Sequence, residues 1–233
     1  FATSLKELKP PAEQGNAIAQ YYLARMNKMG QGVPQDYVEA VRWYKLAAEQ
    51  GLSAAQHQLG FRYYKGEGVP QDYKKAFKWY KLAAEQGEIP SQFNLGLMYF
   101  DGKGVSQDYK EAIEWLKLAA KQKHIMALRS LGIIFHKGEG VPKNYSEAVR
   151  WYKLAANQGD AFSQYNLAAS YYNGKGIDEN NVSAHMWFNL AHSNGLVKAK
   201  SGLEKVQAYM NFSQIEEAQR LAKKCKETNY KEC

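Results

Sequence analysis

The sequence predicts an all-α fold in which about six helical hairpins of 36 residues stack side by side as a solenoid. Three observations carry this reading. Trp43, Trp79, Trp115, Trp151 and Trp187 stand 36 residues apart, each with an alanine three positions ahead (Ala40, Ala76, Ala112, Ala148 and Ala184), which marks a tandem repeat. Apolar residues within a repeat recur at three- and four-residue steps and never alternate as in a strand. Glycines keep the same register: Gly32, Gly68, Gly104, Gly140 and Gly176 within the units, and Gly15, Gly51, Gly87, Gly159 and Gly195 at their boundaries, with Lys123 standing at the fourth boundary. A single hairpin would leave its apolar stripe in water, so neighbours must stack.

The elements follow in order. Residues 1–14 read as a partial repeat, because Ala12-Glu13-Gln14-Gly15 repeats Ala48-Glu49-Gln50-Gly51. A remnant second helix, kinked or shortened by Pro10-Pro11, is expected to cover the first unit. Five full repeats then occupy 15–194. In the first helix of a unit, Ser53–Lys65, residues Gln56, Leu59, Gly60, Tyr63 and Tyr64 share one face. Glycine inside a helix costs about 1 kcal/mol, so its return at Gly60, Gly96 and Gly132, with Ala168 in the fifth unit, predicts a close helix crossing. Large Trp and Tyr side chains of the second helix should fill the space opposite. The intervening Gly66-Glu67-Gly68-Val69-Pro70-Gln71-Asp72-Tyr73 combines glycines for unusual backbone angles, a proline that stops the first helix, and an aspartate suited to cap the second. That second helix places Ala76, Trp79, Tyr80, Ala83 and Ala84 at helical spacing, and Gly87 suits a left-handed terminus. Residues 195–233 form a C-terminal partial repeat and a capping helix, which Ser213-Gln214-Ile215-Glu216 is expected to open as a capping box. With about twelve helices and no long linker, residues 1–233 are expected to form one elongated domain.

Composition narrows the function classes. The 233 residues carry 31 Lys+Arg against 23 Asp+Glu, a formal charge of +8, and 45% are apolar, which excludes a wholly disordered chain. No apolar run approaches the roughly 20 residues needed to cross a bilayer, so no membrane insertion is expected. The opening FATSLKELKPP lacks the apolar segment of a retained signal peptide. The six arginines are far apart and most lysines lie among acids, so nucleic acid is not an expected partner. His57, His124, His136, His185 and His192 show no metal or catalytic spacing. Gly102-Lys103-Gly104 and Gly174-Lys175-Gly176 lack a phosphate-loop pattern and recur as turns. No catalytic residues, metal or cofactor are therefore expected, and the chain is not read as an enzyme.

The pattern A-x-x-x-L-G-x-x-Y-x-x-G-x-G-V-P-x-D-Y-x-x-A-x-x-W-Y-x-x-A-A-x-x-G resembles the Sel1-like repeat, a 36-residue relative of the tetratricopeptide repeat, over essentially the whole chain. This resemblance implies a right-handed α-α superhelix with first helices on the concave side. It also implies a scaffold, adaptor or ligand-binding role, toxin-neutralising immunity proteins included. On this alignment the groove is lined by Tyr21, Arg25, His57, Phe61, Tyr64, Phe93, Leu97, Phe100, Met126, Arg129, Ile133, His136, Phe162, Tyr165 and Tyr172. Asn94 and Asn166 occupy a position that holds a peptide backbone or terminal carboxylate in similar tetratricopeptide domains. Tyr22, Gln58 and Ser130 depart from that pattern, so a full carboxylate clamp is not supported.

Aromatic anchors with sparse polar groups suit a protein or extended peptide. The alternative reading of the same columns is packing between neighbouring helices. Arg62, Lys65, Arg129 and Lys137 would favour an acidic ligand. The partner expected is a protein or peptide, with a secreted toxin or envelope protein as the sharper form; glycan binding and a structural envelope role are the alternatives. Cysteine-rich relatives carry disulfides across gaps like that between Cys225 and Cys233, which implies a bonded tail and a periplasmic or secreted location. The sequence itself also accommodates two reduced thiols and a cytoplasmic location.

Overall fold

The structure is a computed structural model and describes residues 5–230 and Cys233. Among the described residues there are thirteen α-helices and no strand. They form two compact units, 1–122 and 123–233. In the first, α1 (Leu5–Glu13) precedes three hairpins: α2 (Ala17–Met29) with α3 (Tyr37–Glu49), α4 (Ser53–Lys65) with α5 (Tyr73–Glu85), and α6 (Ile89–Asp101) with α7 (Tyr109–Lys121). In the second, α8 (Ile125–Lys137) pairs with α9 (Tyr145–Ala156) and α10 (Ala161–Asn173) with α11 (Asn181–Ser193). The closing helices are α12 (Ala199–Gln207) and α13 (Phe212–Glu227). Each first helix packs on its own second helix, and α4, α6 and α10 also pack on the second helix before them.

The expected helix crossings are present. A methyl group added at Gly60 would stand 2.9 Å from the Tyr80 ring, and one at Gly96 would stand 2.9 Å from Leu116. At Gly132 it would strike Tyr152. The residue after the tryptophan, not the tryptophan itself, fills this space. Trp43, Trp151 and Trp187 are buried, whereas Trp79 and Trp115 remain half-exposed. The five tryptophans expected in the core therefore divide. Arg42 lies 4.1 Å over Trp43 and Arg150 5.1 Å over Trp151, but Lys78 also lies 5.8 Å over the half-exposed Trp79 and Trp187 is buried after Met186, so a preceding cation does not decide burial.

The glycine-rich loop has a second role. Gly66 and Gly68 adopt φ of +74° and +76°, as required to end α4 and reverse the chain. A methyl group at Gly68 would also overlap the carbonyl of Tyr37, the first residue of α3; Gly104 stands in the same way against Tyr73, and Gly176 against Tyr145. The loop of one hairpin thus lies on the first turn of the preceding second helix, where only glycine fits. Its far end is tied down as well: the Asp72 amide donates to Tyr63 O at 2.9 Å, while its carboxylate caps Lys75 N at 3.0 Å.

A buried amide ladder joins successive hairpins. Gln20, Gln56 and Gln92 donate Nε2 to the carbonyls of Ala12, Ala48 and Ala84 at 3.0, 3.2 and 3.3 Å. Their Oε1 atoms accept from Gln50, Gln86 and Gln122 at 2.8, 2.8 and 3.0 Å. In the second unit Gln164 and Asn194 make the same link at 2.9 Å, whereas Leu128 replaces the inner glutamine and Gln158 turns back to Leu154 O. The inner glutamines are buried, so each must find partners or carry a desolvation cost. Lys123, at the boundary position of the glycines, also adopts a positive φ, +63° against their +84° to +95°.

The termini bring one correction. The capping box of α13 is formed by Asn211 and Gln214, with Gln214 N donating to Asn211 Oδ1 at 3.0 Å and Asn211 N to Gln214 Oε1 at 2.9 Å. Ser213 lies inside the helix, because the Asn211 side chain, two residues earlier, already caps it through Gln214 N. The helix α13 packs on α11 and covers Leu190, whose counterparts Leu46, Leu82, Leu118 and Leu154 are exposed. Cys225 and Cys233 are disulfide-bonded, with Cα atoms 5.0 Å apart. The closed loop holds Tyr230, whose hydroxyl donates to Asn194 Oδ1 at 3.0 Å.

Candidate ligand-binding face

None of the seventeen residues expected to line a groove is buried: Arg25 and Met126 are exposed and the other fifteen half-exposed. Helical geometry explains this, since within each of the first helices α2, α4, α6, α8 and α10 the positions lie on the side opposite its buried leucine.

In the first unit, Phe61, Tyr64, Asn94 and Leu97 come together with Lys65 and Tyr80 around a recess of about 250 Å³. Its floor is Tyr80, only 1% exposed, whose phenol is pushed up by burial. Its walls are α4 and α6. Tyr64 packs edge-on against Tyr73 at 5.2 Å, and its hydroxyl accepts from Lys103 Nζ at 3.2 Å. The Arg62 guanidinium lies 4.8 Å from Phe61, and Lys65 Nζ lies 5.9 Å from the same ring. Arg62 is itself buried and paired with Glu67. Among the described residues the Asn94 side chain has no hydrogen-bond partner, which leaves a donor and an acceptor at the recess.

The other residues of this unit stand apart from the recess. Tyr21 packs on Tyr22 and Tyr44, with Arg25 across both Tyr21 and Tyr22. Phe100 packs on Tyr109 at 5.2 Å, and Phe93 is half-buried. His57 Nδ1 lies 2.8 Å from Ser91 Oγ, and its ring sits 5.6 Å from Tyr80. Burial first, and then the Arg62 charge, lower its pKa to about 4.

His57 is consequently neutral in the folded chain at neutral pH, whereas an unfolded histidine protonates near 6.5. Because the folded value is the lower, this stabilisation is complete above about pH 6.5 and is lost as the pH falls towards 4. The shift corresponds to roughly 3 kcal/mol. Urea unfolding of wild type and His57→Gln between those pH values should show a flatter pH dependence in the variant; parallel curves would contradict the buried, neutral histidine.

The second unit gathers a different set. Arg129 pairs with Asp160 at 3.3 Å and lies 5.7 Å from the Phe162 ring, while Lys198 Nζ lies 4.3 Å from both Phe162 and Tyr165. The expected cation at position 129 is therefore already partnered. Asn166 donates to Phe162 O in its own helix at 2.9 Å, so its amide differs from that of Asn94. Ile133, Tyr165 and Tyr172 pack against the core, with Tyr165 also 5.4 Å from Phe188. His136 packs on Tyr145 at 5.2 Å, and its pKa is lowered by burial and then by Lys175, Lys143 and Lys137. Lys198, Lys103 and Tyr80 were not legible as contributors, although Tyr80 repeats at 36-residue spacing as Tyr44 and Tyr152.

Comparisons with known proteins agree with this architecture. The family model described as the Sel1 repeat matches residues 17–52, 53–88, 89–124, 125–160 and 161–196. Among solved structures, a protective antigen present in uropathogenic Escherichia coli strains, displaying an SLR fold, is 36% identical with a TM-score of 0.88. The match covers 96% of this chain and 48% of that one, so this chain spans about half its length. A Sel1 repeat protein from Oxalobacter formigenes is 31% identical with a TM-score of 0.78, over 92% of this chain and 89% of that one. No curated protein matches.

Proposed function

The chain belongs to the Sel1 repeat family, whose members are in general protein-interaction scaffolds, and from that premise we propose that it is a non-enzymatic scaffold holding an extended segment of a partner protein. The observation that carries the reading is the recess of the first unit. It combines an apolar floor and walls with the uncommitted amide of Asn94. Its volume suits one large side chain, and the amide can bond the adjacent peptide group. Because its walls are helices packed on their neighbours, little ordering cost accompanies binding.

Adaptor and inhibitor are two forms of this role, and a toxin-neutralising protein is the sharper one. They separate on whether the partner keeps its activity in the complex. The Cys225–Cys233 disulfide supports a periplasmic or secreted setting. Among the described helices none is long and apolar enough to cross a membrane.

The test is a pull-down from envelope and secreted fractions with wild type beside a Phe61→Ala/Asn94→Ala/Leu97→Ala variant. A protein retained by wild type and lost by the variant, with helical content preserved, is expected. Equal retention by both would refute the recess as the site, and binding of purified glycans alone would favour a carbohydrate ligand.

A further inference from the structure

We infer that the segment seated at the recess of the first unit is acidic: an extended peptide with one aromatic or aliphatic anchor flanked by Asp or Glu. The inference rests on the peptide-binding reading above and specifies the chemistry of the partner.

The face carrying the recess is built from α2, α4 and α6. These helices contain Arg25, Lys28, Arg62 and Lys65 against a single carboxylate, Asp101. Asp101 is taken by Lys103 at 3.0 Å, and Glu67 by Arg62. Among the described residues Arg25, Lys28 and Lys65 make no ion pair. The repeat register puts Arg25 and Lys28 on α2 where α4 has Phe61 and Tyr64, so the unpaired cations and the aromatic rings share one face. The Lys28 pKa is lowered by burial first and then by Arg62 and Arg25, with Glu67 opposing, which reports the crowding of positive charge there.

The second helices of the same unit pair a larger share of their cations. Arg42 pairs with Glu39 at 2.6 Å, Lys45 with Glu49 at 3.8 Å, Lys81 with Glu85 at 3.9 Å and Lys117 with Glu114 at 2.9 Å. Part of their charge is thus neutralised within a helical turn, although among the described residues Lys74, Lys78, Lys110 and Lys121 make no ion pair; the first-helix face differs in that its unpaired Lys65 lines the recess itself. Positive charge there accelerates encounter with an anionic segment and penalises a basic one. The recess, sized for one side chain, and the free amide favour a peptide over a nucleic acid.

Random peptides of about 12 residues displayed on phage, panned on the full chain, test this. Enriched sequences are then synthesised and measured by fluorescence anisotropy against wild type, Leu97→Glu and the surface double variant Lys28→Gln/Lys65→Gln. The expected peptides carry Asp or Glu around one apolar anchor. Their affinity should fall about tenfold or more in Leu97→Glu, fall about three- to tenfold in the lysine variant, and weaken as salt is raised. Peptides that depend on Leu97 but show no acidic enrichment or lysine dependence would overturn the inference and leave the peptide-binding reading standing. If no enriched peptide loses affinity in a correctly folded Leu97→Glu variant, both fail. An oligonucleotide that displaces the peptides with higher affinity would overturn the choice of a peptide. Far-UV circular dichroism checks folding, and the lysine variant, altered only at helix surfaces, keeps the charge argument testable if Leu97→Glu does not fold.

Discussion

Replacing Gly104 with alanine is expected to lower stability by about 2–5 kcal/mol, from a left-handed backbone that disfavours a side chain and from forced displacement of packed atoms. Gly104 has a φ of +73°, and the added methyl would overlap the Tyr73 carbonyl and come 2.9 Å from Lys74 N. Neither neighbour is a flexible side chain that can swing aside. Gly87 provides the control: its φ is +88°, yet nothing lies within 4 Å of a methyl group there. Gly87→Ala should therefore show only the backbone penalty, about 1–2 kcal/mol. Urea denaturation of the two variants checks the claim, and equal losses would mean that backbone conformation alone, not contact with the preceding helix, selects glycine in the loop.

Truncating Trp187 to alanine should cost about 3–5 kcal/mol, the usual range for deleting a buried large aromatic. Trp187 is 1% exposed and lies in the core formed by α9 to α13, among Ala184, Leu190 and Ala222. The same truncation at Trp115 should cost distinctly less, because that ring is half-exposed and water already reaches the space it would vacate. Thermal melts of both variants test the ranking. A Trp115→Ala variant as damaged as Trp187→Ala would show that the position is decided by the repeat and not by its local surroundings.

This difference shows what the sequence could and could not disclose. Helix number, loop placement and the small-residue crossings follow from a 36-residue period that five copies repeat, and the family membership follows with them. The period says where a side chain belongs in the repeat. It does not say what the neighbouring repeat places over it. Trp43 and Trp115 occupy one position in the repeat, yet Trp43 is buried and Trp115 half-exposed. The candidate site behaves alike: Asn94 and Asn166 are equivalent by spacing, yet Asn166 bonds Phe162 O and Asn94 has no partner among the described residues. Arg129 was legible as a cation, whereas its pairing with Asp160, 31 residues further on, required the fold. The glutamine ladder was visible as Gln20, Gln56, Gln92 and Gln164 in register, but helical periodicity alone assigns those residues to an apolar stripe.

That ladder also bears on how such a chain can change length. Each link joins an inner glutamine to an amide side chain 30 residues later, in the turn that opens the next unit. Unequal recombination between copies that carry the pair leaves acceptor and donor at the same offset, whereas the unit with Leu128 lacks the link. Whole modules can then be gained or lost without inventing a new junction.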